Sequence, residues 1–216
     1  MLADWFRGRR AVLLGVAAII GAVVGVYVSL ALYGKNQSAD VAACTDTKAI
    51  TAGIAPLATG HVAAFNLADN PESLADLAFK DAEGNDTSLA AFAGRTTLVN
   101  LWATWCIPCR VEMPALDQLQ ADLGGDAFEV VAINIDLGES DKPRAFLDEI
   151  GVENLAFYSD PTTDAFSGLK KRGLAFGLPV TLLIDGKGCR IGSVNGPAEW
   201  DSDDAKALIN AALNAA

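Results

Sequence analysis

The sequence predicts an α/β fold, a central mixed β-sheet flanked by helices, placed behind one N-terminal transmembrane helix. Three observations predict it. The runs TTLVNLW (Thr96 to Trp102) and FEVVAINI (Phe128 to Ile135) have the length and β-branched content of strands buried on both faces. Amphipathic stretches alternate with them, as parallel strands joined by helices require, and a late pair, VTLLI and CRIGSV, flanks Asp185-Gly186-Lys187-Gly188, the turn chemistry of a hairpin, which makes the sheet mixed. Finally, no charged residue occurs from Ala11 to Gly34.

That apolar stretch sets the N-terminal organisation. A bilayer is crossed by roughly 20 apolar residues, so residues 11–33 read as a membrane anchor through the lipid bilayer. Arg7, Arg9 and Arg10 precede it and only Lys35 follows closely, which places residues 1–10 in the cytoplasm and the remainder on the far side. A cleaved signal peptide is the rival, but its apolar core spans only about 7–15 residues. Val41-Ala42-Ala43-Cys44 looks like a lipoprotein processing box, although Lys35 and Asp40 separate it from the apolar core. Residues 34–70 read as a stalk and helical extension. Its first part is small and polar, and Thr47 to Phe65 has helical spacing interrupted by Gly53 and Pro56, the pattern of a broken helix.

Residues 71–216 form the predicted domain. Leu77 to Phe79 reads as an edge strand, Asp81 to Asn85 as a turn, and Ser88 to Phe92 as one helical turn. The strand Thr96 to Trp102 is followed by a helix from Cys106 to Leu123 that carries Pro114, expected to kink it. After the strand Phe128 to Ile135 come a helix at Lys142 to Ile150, a short strand at Ala156 to Tyr158 and a helix at Thr163 to Arg172. The hairpin Val180 to Ile184 and Cys189 to Val194, then a closing helix Glu199 to Leu213, complete the domain.

Composition excludes whole classes of function. Lys and Arg number 16 against 27 Asp and Glu, and the pI near 4.4 leaves no basic cluster for nucleic acid. Hydrophobic residues make up 51%, too many for a disordered chain.

The dense constellation is Trp105-Cys106-Ile107-Pro108-Cys109-Arg110, after a strand and at a helix start. Cys-x-x-Cys there puts two sulfurs within one turn, and the first faces the unpaired N–H groups at the positive end of the helix dipole, which favours thiolate. Cys106 is thus the predicted nucleophile and Cys109 the resolving thiol. The alternative is a metal half-site. Zinc needs two further ligands, and the chain offers only Cys44, Cys189 and His61; copper favours a distal His or Met, and Met113 is the only methionine beyond Met1. Trp102 is predicted to be core and Trp105 part of a substrate platform. Arg110 is read either as support for a thiolate or as a surface helix charge, and His61 as structural.

The run Leu98 to Pro114, LVNLWATWCIPCRVEMP, with the Phe79 to Gly94 segment and Gly177-Leu178-Pro179-Val180-Thr181, resembles the TlpA, ResA and CcmG group of membrane-anchored thioredoxin-like proteins over roughly residues 71–216. The resemblance implies a thioredoxin-like fold. It implies a cis Pro179 facing the dithiol, with Leu178, Trp105, Ile107 and Pro108 receiving an extended substrate segment. Glu112 matches the acidic residue that tunes thiol acidity in ResA-like proteins, while Asn100 stands where thioredoxin carries a buried aspartate. TlpA proper has an additional cysteine pair, and Cys44 with Cys189 is expected to form a structural disulfide, worth about 4 kcal/mol in the chain-entropy model.

The activity implied is a thiol:disulfide oxidoreductase with no cofactor and no metal, in the bacterial inner membrane with its catalytic domain in the periplasm. The Ile-Pro between the cysteines lacks the histidine of strongly oxidising sites, so a reductant is favoured over an oxidase or isomerase. A DsbD or CcdA-type membrane protein would feed it electrons. Its clients would be an oxidase subunit, a copper chaperone or apocytochrome c, whose cysteines must be reduced before copper or haem binds.

Overall fold

The computed structural model describes residues 44–138 and 140–215. The expected anchor at 11–33 and the N-terminal residues 1–10 lie outside them. Among the described residues no helix is long and apolar enough to cross a membrane.

Among these residues eight strands form one sheet: β1 (Asn66–Leu67), β2 (Ala78–Lys80), β3 (Asp86–Ser88), β4 (Thr96–Trp102), β5 (Phe128–Asn134), β6 (Tyr158–Ser159), β7 (Val180–Ile184) and β8 (Arg190–Asn195). Their order is β1-β8-β7-β4-β5-β6-β2-β3. β4 pairs in parallel with β5 and antiparallel with β7, and the β7–β8 hairpin is antiparallel, so the sheet is mixed as the sequence predicts. Every residue of β4 and β7 is buried, which is why both lack polar alternation. The helices are α1 (Thr47–Ile54), α2 (Ile107–Leu123), α3 (Asp141–Glu149), α4 (Asp164–Lys171) and α5 (Asp203–Ala215).

Two short strands escape the sequence pattern. Leu77 to Phe79 is expected at the sheet edge, yet β2 has an outer neighbour, β3, paired through Phe79 with Thr87. β3 is polar and three residues long, so no hydrophobic alternation marks it. β1, two residues long, pairs with β8 through Asn66 and Ser193. The closing helix begins at Asp203 rather than Glu199 because Trp200 is drawn fully into the core, and the Ser202 hydroxyl then accepts the Ala205 N–H at 3.2 Å to start the helix. α2 runs through Pro114 without ending, although that residue cannot donate to the Arg110 carbonyl.

The described part of the segment read as an extension, residues 44–70, is built into the same compact unit as the predicted domain. α1 packs on α5 and β8, and two 3-10 turns, Ala55–Leu57 and Gly60–Val62, follow it where Gly53 and Pro56 break the pattern. Gly192 on β8 lies so close to Phe65 that a Cβ there would meet the ring at 2.3 Å. Thr47 donates its hydroxyl to Asp185 at 2.7 Å, and Asp185 also accepts the Lys187 and Cys189 N–H groups of the β7–β8 turn.

The topology brings three chain segments to one end of the sheet. Parallel pairing of β4 and β5 aligns Trp102 with Asn134, so the loops leaving both strands emerge together. Antiparallel β7 enters from that end, with Val180 opposite Leu101, and places the residues before it beside the end of β4. This is the carboxyl edge of the parallel strands, where open α/β sheets bind ligands.

Candidate active site

Cys106 is the N-cap of α2, with extended backbone at φ −88° and ψ 100°, and its Sγ accepts the Cys109 N–H at 3.3 Å. Such a sulfur meets a backbone donor and the positive end of the helix dipole together, which stabilises negative charge on it. Cys106 and Cys109 are joined as a disulfide, with Cα atoms 5.3 Å apart. Pro108 occupies the first helical turn, where its missing N–H breaks no helix bond.

The two sulfurs differ in access. Cys109 is fully buried, whereas Cys106, 5% exposed, lines a groove of about 530 Å³. Trp105, Ile107, Pro108 and Leu178 line it too, whereas Pro179 does not; the Leu178–Pro179 peptide is cis. The opposite wall consists of Phe166 and Lys170 from α4 and Phe176 from the loop before β7. The large apolar side chains exposed among the described residues gather at this end of the sheet. Trp105, Ile107 and Val111 are on the dithiol segment, Phe176 precedes β7, and Leu137 follows β5. Soluble surfaces rarely cluster apolar side chains in this way without a partner to cover them.

Glu112 lies one turn beyond Cys109 on α2, an i,i+3 spacing that makes the two neighbours on the inner face of the helix. Its carboxylate accepts the Asn100 amide at 2.8 Å and the Ala198 N–H at 3.3 Å, and Asn100 also donates to the Thr181 hydroxyl at 2.9 Å. Burial pushes the Glu112 carboxyl up to about 7, against the hydrogen bonds from Asn100 and Ala198 that favour its charge. The Trp200 indole N–H favours the charged form as well, though short of hydrogen-bond geometry. Asn100 has no proton to titrate, so Glu112 is the ionisable group at this point of the core. A buried carboxyl poised near neutrality is suited to taking a proton from a nearby thiol and returning it.

A family model described as Redoxin matches residues 61–209. The chain belongs to the Redoxin family, in its TlpA, ResA and CcmG group. It is 36% identical over 115 residues to the thioredoxin-like protein YneN of Bacillus subtilis, covering 52% of this chain and 64% of that one. It is 33% identical over 130 residues to the thiol:disulfide interchange protein HelX of Rhodobacter capsulatus, covering 59% and 63%. The chain thus spans less than two thirds of the length of these relatives. Among solved structures it is similar to a putative thiol:disulfide interchange protein DsbE from Chlorobium tepidum, with 29% identity, a TM-score of 0.54, and coverage of 63% of this chain and 92% of that one.

Beyond the dithiol, this redoxin's second cysteine pair is also joined. Cys44 and Cys189, 145 residues apart, form a disulfide with Cα atoms at 5.6 Å, both 1% exposed. A lipid thioether on Cys44 and this disulfide are mutually exclusive. Trp102 is fully buried and Trp105 is 66% exposed. The Arg110 guanidinium lies 4.7 Å from the centroid of the Phe146 ring, a surface cation–π contact. His61 is far from Glu112 in sequence but lines the same cavity of about 340 Å³, with its Nδ1 2.9 Å from Glu199.

Sequence reasoning missed Phe166, Lys170 and Phe176 as groove walls, and Thr181 and Ala198 around Glu112. Phe176 carried a signal, since it precedes Gly177-Leu178-Pro179 and must share that loop's position. Phe166 and Lys170 carried only an i,i+4 helical spacing, which does not say what the helix faces.

Proposed function

We propose that the chain is a membrane-anchored thiol:disulfide oxidoreductase that reduces cysteine pairs in client proteins outside the cytoplasm. The observation that carries this is the Cys106 sulfur, set at the start of α2, accepting the Cys109 N–H and reached through an apolar groove. Its relatives are named thiol:disulfide interchange and thiol-disulfide oxidoreductase proteins, which supports the same chemistry.

The Cys106 thiolate attacks one sulfur of a client disulfide. A mixed disulfide forms, and the other client sulfur leaves as a thiolate that takes a proton. Cys109 then gives up its proton, with Glu112 one turn away to receive it, and attacks the Cys106 sulfur. The second client thiolate leaves and is protonated, and the enzyme retains the Cys106–Cys109 disulfide. Two electrons have passed to the client. Leu178 and the collar of Trp105, Ile107 and Pro108 hold the client segment in an extended form across the groove.

Residues 11–33 supply the anchor, with residues 1–10 in the cytoplasm and the catalytic domain in the bacterial periplasm. A reductant there needs resupply from a DsbD or CcdA-type membrane protein. Its clients are cysteine pairs awaiting copper or haem, in an oxidase subunit, a copper chaperone or apocytochrome c. The test is capture: Cys109→Ser in the full membrane-anchored chain accumulates the mixed disulfide, and the trapped protein carries a metal-site or haem-site cysteine pair. A reduction potential nearer about −120 mV than about −270 mV would reassign the protein as an oxidase.

A further inference from the structure

The groove over the dithiol has a charge opposite to that of the chain. Asp and Glu outnumber Lys and Arg by 27 to 16, yet the one Asp, Glu, Lys or Arg side chain lining the groove is Lys170. Lys170 lies in the last turn of α4, four residues after Phe166, with its Nζ 5.6 Å from the Phe166 ring centroid. The neighbouring Arg172 is occupied: it holds Asp76 at 2.7 Å, Glu72 at 3.9 Å and the Ser73 carbonyl at 2.9 Å. Lys170, among the described residues, makes no ion pair.

A helix C-terminus favours lysine through its dipole, and that reason applies equally to Lys171 beside it. What sets Lys170 apart is that it lines the same groove as Trp105, Ile107 and the Cys106 sulfur that attacks. No carboxylate lines this groove to meet it.

We infer that Lys170 determines client specificity, and that the disulfide attacked by Cys106 lies in an extended apolar segment carrying a carboxylate side chain close to the attacked cysteine. The inference rests on the thiol:disulfide exchange proposed above and names the substrate class for that site. The aromatic walls, Phe166, Phe176 and Trp105, receive the apolar residues of the segment; Lys170 receives the acid. The negative charge of the whole chain does not oppose this. Charges elsewhere on the surface are screened beyond about 8 Å at physiological ionic strength, whereas the Lys170 contact forms at van der Waals distance.

The test uses the reduced full-length protein and a set of oxidised disulfide peptides of one apolar sequence. Asp, Asn or Lys is placed at successive positions on either side of the attacked cysteine. At one position the Asp peptide is expected to be reduced with a kcat/KM about threefold above the Asn peptide, and the Lys peptide to fall below it, the scale of an exposed ion pair. Lys170→Gln levels the series, Lys170→Glu inverts it, and high salt compresses it, each rate being taken relative to the same protein's rate with the Asn peptide. An unchanged ranking in Lys170→Gln, or equal rates for all peptides with the native protein, overturns the role of Lys170 and leaves the oxidoreductase intact. Failure of the native protein to reduce any peptide overturns the oxidoreductase reading and this inference with it.

Discussion

The protein holds two disulfides, and the difference between them separates reactivity from staple. Cys106–Cys109 spans three residues, sits at a helix start and lines a groove with its first sulfur. Cys44–Cys189 spans 145 residues, lies 1% exposed at both ends, and joins the chain just before α1 to the start of β8. The bond is the same in both. In the first, a helix N-terminus stabilises the thiolate that must be released, and a partner can reach it. In the second, burial denies access, and closing a long loop restricts the unfolded chain.

The sharpest break in this comparison is Cys106→Ser. We expect a loss on the order of 10³-fold or more in the reduction of protein disulfides, because no other accessible thiol occupies a helix start. Removing the other bond, with Cys44→Ser and Cys189→Ser together, is expected to lower the stability of the oxidised protein by about 4 kcal/mol in denaturant unfolding. Its initial rate of disulfide reduction at low temperature should stay within about twofold. A comparable loss of rate would show that the staple also shapes the active site.

Glu112 sharpens the contrast through pH. Its folded-state carboxyl is raised from 4.5 to about 7, so the folded state binds this proton more tightly than the unfolded chain does. The stability it contributes is therefore complete below about pH 4.5 and is lost as pH rises through about 7. Glu112→Gln, which cannot ionise, should erase this fall, so that the stability of the variant relative to native rises by about 2.5 kcal/mol from pH 5 to pH 8. The same variant should change the pH profile of the resolving step, read by tryptophan fluorescence in rapid mixing. A stability profile identical to native across pH 5 to 8 would remove Glu112 as a titrating core group. The smallest effect concerns the opposite wall of the groove. Phe176→Ser should lower kcat/KM for a protein disulfide about fivefold, because it removes one aromatic wall of the groove.

Much of this architecture was legible in the sequence, and its visibility tracked burial. The sequence marks β4 and β7 with their observed bounds, because continuous apolar runs belong to strands covered on both faces. β1 and β3 carry no such mark. They are short edge segments held by backbone pairing, which leaves little trace in side-chain type. The broken helix near the N-terminus was visible from Gly53 and Pro56. That it packs into the domain was not, because its contacts with α5 and β8 are made with residues more than a hundred positions away.

The sequence by itself determined the dithiol and its order, since a helix start and two cysteines three residues apart are local facts. It also determined which strands are central. Only the tertiary structure decided which aromatic and charged side chains share the groove with Cys106: β7 runs antiparallel to β4, so the loop with Phe176 arrives from about 70 residues downstream, and α4 brings Phe166 and Lys170. It likewise enclosed Glu112 between Asn100 of β4 and the Ala198 backbone. Local propensity is encoded within a few neighbouring residues, whereas a groove and a shifted carboxyl arise from contacts between segments that only folding brings together.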